Sequence, residues 1–112
     1  KNSRTPFMII GGLARYFHKK QEVTKDLDLL MRSEDRKKVV GFLKQEGFET
    51  WKSSRYFQQM YPPLDIMFLS DSIFRELFKD AITVKVLYVS VKVASPQALY
   101  VLDKIRKGER KR

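Results

Sequence analysis

The chain of 112 residues has no cysteine. A disulfide framework, a thiolate metal site and a cysteine nucleophile are therefore excluded. A reduced compartment suits such a chain, and a cytoplasmic location is expected. Long hydrophobic runs are also missing. None approaches the ~20 residues of a membrane span, and the basic start lacks the apolar region of a signal peptide, so no membrane partner is expected. The sequence opens on Lys1, not Met, which suits a trimmed start. Acidic residues are scarce: 13 against 23 basic ones, for a net charge of +10. That balance points to a polyanionic partner, either RNA, DNA or a nucleoside triphosphate.

The basic excess is uneven. Lys104, Arg106, Lys107, Arg110, Lys111 and Arg112 face only Glu109, so the last nine residues carry half of the net charge. A solvated terminus accounts for such a tail as well as a binding role does. The hydrophobic content of 43% argues for a folded chain with a small core. No repeat and no internal boundary is visible. One domain over residues 1–112 is expected, with a basic C-terminal tail over about 104–112.

Phe7-Met8-Ile9-Ile10 reads as a short buried strand ended by Gly11-Gly12. Residues 13–20 are helix-compatible, with Leu13 and Phe17 spaced i, i+4. A strand, two glycines and a helix start aim backbone N–H groups and the positive helix end at one point, which suits an anion. Alone, a glycine pair is only a turn. His18 is the only histidine. A packing role near the helix end is favoured for it over a contact to phosphate.

Thr24-Lys25-Asp26-Leu27-Asp28-Leu29-Leu30 comes next. On a strand, Asp26, Asp28 and Leu30 share one face, and Leu27, Leu29 and Met31 the other. The two carboxylates would stand roughly 6–7 Å apart. At an effective dielectric of about 20 they would repel by roughly 2.5 kcal/mol. Water on an edge strand is the simpler remedy; a basic partner or a divalent cation is the other. A second carboxylate-bearing strand, Leu64-Asp65-Ile66-Met67-Phe68-Leu69, favours the cation. Asp65 inside such an apolar run is costly unless paired or metal-bound, and three aspartates on neighbouring strands would complete a cation site.

The rest of the chain supplies scaffold. Ser33 reads as an N-cap, with Glu34 and Asp35 in the first turn and Gly47 closing a helix over 34–46. Its Arg36-Lys37-Lys38 cluster reads as a solvated face. Residues 48–52 and 55–61 suggest a hairpin, in which Trp51, Tyr56 and Phe57 read as core, although aromatic and basic side chains together can also stack bases. Asp71 and Ser72 are candidate caps for a helix to about Lys79. One or two strands lie within 82–93. Ser95-Pro96 opens a final helix whose buried stripe is Ala98, Leu99, Leu102 and Ile105.

With Gly11-Gly12-Leu13-Ala14, Thr24-x-Asp26-Leu27-Asp28 and Leu64-Asp65-Ile66 in view, the chain resembles the minimal nucleotidyltransferases of the polymerase-beta superfamily. Within them it is most similar to the AbiE-type abortive-infection branch. His18 and Ser95-Pro96-Gln97-Ala98-Leu99 match that branch too, and the resemblance covers roughly residues 7–107. It implies an α/β (α+β) fold: a nucleotidyltransferase-like mixed β-sheet with helices packed on it. Gly11 and Gly12 would hold the nucleoside triphosphate. Asp26, Asp28 and Asp65 would bind two Mg²⁺ ions (or Mn²⁺) and perform catalysis. Lys104 stands where relatives present an inward lysine to the nucleotide. One departure is Leu13, where the wider superfamily has a serine, so a hydroxyl contact to triphosphate is missing.

The expected activity is transfer of a nucleoside monophosphate from an NTP to a hydroxyl. The net charge favours RNA, such as tRNA, as acceptor; a protein hydroxyl is the other option. The resemblance alone implies a toxin role in a toxin–antitoxin or phage-defence pair, with an antitoxin or other protein as partner. Two other readings use the same fold. One is a non-catalytic module that binds nucleic acid or a partner. The other is an antitoxin-like or regulatory subunit with vestigial carboxylates.

Overall fold

A computed structural model describes residues 5–19 and 27–110. The fold is mixed α+β. Seven strands form one sheet: β1 (Met8–Ile10), β2 (Leu27–Arg32), β3 (Glu49–Ser53), β4 (Phe57–Tyr61), β5 (Leu64–Leu69), β6 (Ile82–Val86) and β7 (Val89–Val93). Four helices pack on it: α1 (Gly11–Lys19), α2 (Arg36–Gln45), α3 (Asp71–Phe78) and α4 (Pro96–Arg110). The strand order is β3-β4-β5-β2-β1-β7-β6. Two pairs, β2 with β5 and β1 with β7, are parallel; the others are antiparallel.

The central strands explain their place. β5 is almost wholly buried, and its alternate residues enter different cores. Met67 and Leu69 join Met8, Ile10 and Leu30 in the larger core, which α1, α3 and α4 cover with Ala14, Phe74, Ala98, Leu99 and Leu102. Leu64, Ile66 and Phe68 face the smaller core with Met31 and Met60, beneath Val39 and Leu43 of α2. Burial on both faces fits near-continuous apolar strands.

β2 is the fourth of seven strands, so Asp28 does not lie on an edge strand. Nor is its face polar throughout, because Leu30, two residues on, is fully buried in the larger core. Asp28 stands where that core gives way to solvent.

Helix ends depart from the expected caps. Ser33 opens a 3₁₀ turn over Ser33–Asp35, and α2 starts at Arg36 with no side-chain cap. Asp35 is occupied instead by Arg32, whose Nε donates to Oδ2 at 2.9 Å. Arg32 also reaches Asp71 at 3.3 Å. The hydrogen bond to Asp35 first, then that to Asp71, raises the Arg32 pKa above its ordinary value, partly offset by desolvation. Ser70, not Asp71 or Ser72, caps α3 by accepting from the Ile73 N–H.

The end of α2 follows its sequence. Gly47 has φ +100°, the Gly47 N–H donates to Lys44 O at 3.1 Å, and the Phe48 N–H donates to Leu43 O at 3.0 Å. This paired closure needs a residue at positive φ, which glycine adopts without steric penalty. Leu43 and Phe48 then pack together on the smaller core.

Arg36 is not part of a solvated face. Its guanidinium donates to the carbonyls of Ser54, Arg55 and Phe57 at 2.8–3.0 Å and lies 5.0 Å from the ring centroid of Phe68. It thereby ties the β3–β4 loop to the sheet. No helix among the described residues is long and apolar enough to cross a membrane.

Candidate active site

β1 runs directly into α1 through Gly11, which has φ +73°. That backbone conformation disfavours any residue with a Cβ. Space makes the same demand: a Cβ on Gly11 would run into Asp28 Oδ2 and stand 2.9 Å from the Asp28 Cβ and Cγ. The start of α1 therefore lies directly over the Asp28 carboxylate. Gly12 follows as the second residue of the helix. Leu13 packs against the larger core, so this position serves packing where the superfamily pattern has a hydroxyl.

Asp28 and Asp65 are direct partners in the parallel ladder of β2 and β5, so their side chains leave the same face of the sheet. Neighbouring strands are about 4.8 Å apart. Two unit charges near 5 Å repel by about 3 kcal/mol at an effective dielectric of 20. Both residues are half-buried. Asp26 lies outside the described residues. Among the described residues, no three histidine, aspartate or glutamate side chains gather into a metal-holding group.

The register extends the row. Ile10 pairs with Asp28, Asp28 with Asp65, Asp65 with Gln59, and Gln59 with Lys52. A bulge sets the last pairing. The β3–β4 register shifts between Thr50 and Lys52, which leaves Trp51 as the extra residue. A regular ladder would have set Trp51 opposite Gln59; the bulge brings a cation there instead.

Lys52, Gln59 and Asp65 also line a cleft of about 480 Å³ together with Ser53, Ser54, Phe57, Gln58 and Arg106. This volume falls within the roughly 300–1,000 Å³ usual for ligand sites. The Arg106 guanidinium lies 5.2 Å from the Phe57 ring centroid. Arg106, not Lys104, is the α4 cation lining the cleft. Lys104 is exposed, with Nζ 5.0 Å from the ring centroid of Tyr100. Two residues turn a helix by about 200°, so the two side chains leave opposite sides of α4. Sequence reasoning missed Arg106 because it treated the basic tail as one feature; the buried stripe of Ala98, Leu102 and Ile105 carried the orientation.

Two other polar groups have structural tasks. His18 donates from Nε2 to the Ala94 carbonyl at 2.7 Å, joining the end of α1 to the segment after β7. Arg15 pairs with Asp103 at 2.8 Å, joining α1 to α4. Both partners are substantially exposed, so this pair registers the helices more than it stabilises them.

Carboxylate oxygens are the ligands that hard divalent cations such as Mg²⁺ and Mn²⁺ prefer. Two of them on one rung, beside a glycine-lined helix start, fit a divalent cation bound together with a phosphate ester. No protein-family model matches the chain, and no curated protein is significantly similar to it.

Proposed function

We propose that the protein is a nucleotidyltransferase that moves a nucleoside monophosphate from an NTP to a hydroxyl group, with RNA as the acceptor. The observation that carries this reading is the stacking of Gly11 over Asp28, with Asp65 on the same rung. A helix start of the kind that binds phosphate, set against one carboxylate with a second on the neighbouring strand, supports it. The resemblance to the polymerase-beta superfamily points the same way.

In this reading Gly11 and Gly12 present backbone N–H groups to the triphosphate, as helix starts do for anions. Asp28 and Asp65, with Asp26, would hold Mg²⁺ or Mn²⁺. Bound there, the cations supply charge neutralisation for the attacking and leaving oxygens of an in-line displacement. Asp65 accepts the proton of the acceptor hydroxyl. The hydroxyl oxygen forms a bond to the α-phosphorus, the bond from that phosphorus to the β-bridging oxygen breaks, and pyrophosphate leaves. The protein contributes positioning and electrostatics more than covalent chemistry. An RNA acceptor agrees with the net charge of +10. A toxin of a toxin–antitoxin or phage-defence pair, held by a protein antitoxin, is the biological setting that the resemblance implies.

The test is transfer of label from each α-labelled NTP to total RNA, with Mg²⁺ or Mn²⁺, in wild type and Asp28→Ala. Labelled RNA that disappears in the variant supports the reading. Label on the protein itself moves the acceptor to a side chain. Absence of label from all four NTPs sinks the enzymatic reading and leaves a nucleic-acid-binding module on this fold.

A further inference from the structure

We propose that the open edge of β6, with the Leu87-Tyr88 turn beside it, docks an extended, acidic segment of a partner protein, which joins the sheet as a further strand. This inference does not depend on the transfer reaction proposed above.

The turn departs from the usual chemistry of hairpins. β6 and β7 are joined by two residues, Leu87 and Tyr88, with Val86 opposite Val89. Leu87 has φ +57°. Two-residue turns that need positive φ draw glycine or asparagine, and a bulky side chain there is an outlier. Strain of this kind concentrates where a segment has a task beyond folding. The side chains it holds gain little from the core: Leu87 is 85% exposed and Tyr88 96%. Val89, beside them, is exposed as well.

The edge is built to accept a strand. The sheet ends in β3 on one side and β6 on the other. β3 is guarded by its bulge at Trp51 and by charges of both signs, Glu49 and Lys52. β6 lacks these guards. Its ladder with β7 runs without a shift from Ile82 to Val86, four of its five residues are β-branched, and Lys85 is its one charge. Val86 and Val89 flank the turn as a hydrogen-bonded pair, and bonded pairs alternate along an antiparallel ladder. The N–H and C=O groups of Thr83 and Lys85 therefore point away from β7, into the open edge. An added strand pairs with such groups.

Side chains set the chemistry of the partner. Thr83, Lys85, Ser90 and Lys92 share one face of the hairpin, and Lys92 Nζ donates to Thr83 Oγ1 at 2.7 Å. No acidic residue lies within 82–93. On the other face, Val84 and Val91 pack against the larger core. A strand laid along β6 meets cations on one face and an apolar margin on the other, so alternating acidic and apolar residues fit it. A second copy fits poorly, because it brings the same lysines and another net charge of +10. β6 stands three strands from β2, roughly 14 Å away, so an added strand leaves the rung of Asp28 and Asp65 open.

The probe is an eight-residue peptide alternating valine and glutamate, blocked at both ends and added to the full chain. Amide hydrogen exchange followed by NMR is the readout. With saturating peptide, the Thr83 and Lys85 amides are expected to exchange at least tenfold more slowly, while the Val84 amide, directed at β7, changes less than twofold. The same peptide methylated on every glutamate nitrogen should bind at least tenfold more weakly. Lys85→Glu should weaken the glutamate peptide at least fivefold and favour a valine–lysine peptide in its place. Leu87→Gly keeps the turn, because glycine takes positive φ without penalty, and should weaken the peptide at least fivefold without lowering the melting temperature. Absence of protection at Thr83 and Lys85 overturns the proposal, as does equal binding of the methylated and unmethylated peptides. Protection that grows with protein concentration alone, with dimers in sedimentation, assigns the edge to a second copy and overturns the acidic partner.

Discussion

Gly11 sits against Asp28 so closely that a single added methyl would stand 2.9 Å from two carbons of the aspartate. The contact joins the turn after β1 to the middle strand of the sheet, and it makes Gly11→Ala a sharp probe. Positive φ alone disfavours alanine by roughly 1–2 kcal/mol, and the collision adds to that. Urea denaturation should show a loss of about 2–3 kcal/mol. Transfer activity should fall further than stability does, because Asp28 must move to admit the methyl group. A Gly11→Ala protein with unchanged stability would contradict the geometry.

Asp28 and Asp65 share one rung of a parallel ladder, and like charges directly opposite destabilise a sheet. Divalent cation should therefore stabilise the folded chain. Mn²⁺ at about 100 times its dissociation constant would add roughly 2.7 kcal/mol. A thermal melt with Mn²⁺, and again after chelation, reads this directly. Asp28→Asn should show little response to Mn²⁺. An equal response in both proteins would remove Asp28 from the proposed metal site.

Arg36 donates to the carbonyls of Ser54, Arg55 and Phe57 and covers the ring of Phe68. Arg36→Ala should cost about 1–3 kcal/mol, since it removes charged-donor hydrogen bonds that hold the β3–β4 loop. Arg36→Lys should recover only part of this, because a lysine lacks the planar fork that serves several acceptors at once. Chemical denaturation of the three proteins checks it.

His18 donates to the Ala94 carbonyl at 2.7 Å, which gives it a structural task at the end of α1. His18→Ala is expected to lose about 1 kcal/mol of stability and to keep the KM for NTP. A large rise in that KM would instead assign the imidazole to phosphate.

Trp51→Ala should leave stability within about 0.5 kcal/mol, as expected of an exposed side chain. Denaturation midpoints compare the two proteins. A large loss would show Trp51 to be structural.

Much of the scaffold was readable because it rests on local chemistry. Gly47 closing α2, proline after Ser95 at the start of α4, and the apolar run of β5 are each dictated by a few adjacent residues. Two helix starts differ from the expected caps. Ser33 opens a 3₁₀ turn ahead of α2, which starts at Arg36 with no side-chain cap. Ser70 caps α3, while Asp71 is held by Arg75 at 2.9 Å. Arg36, next to exposed Lys37 and Lys38, looked like surface until the β3–β4 loop folded over it.

The sequence by itself determined the glycine pair, the alternation that puts Asp28 opposite in direction to Leu29, and the isolated carboxylate of Asp65 within an apolar strand. These follow from backbone stereochemistry and from side-chain period two, which need no distant contact. Tertiary structure alone decided that β2 would be central, that Asp28 and Asp65 would share a rung, and that Arg106, not Lys104, would line the cleft. Strand order and register depend on how two cores fill from residues far apart in the chain, and the bulge at Trp51 depends on the partner strand. A one-residue slip in any of those pairings would have turned the same side chains to the other face.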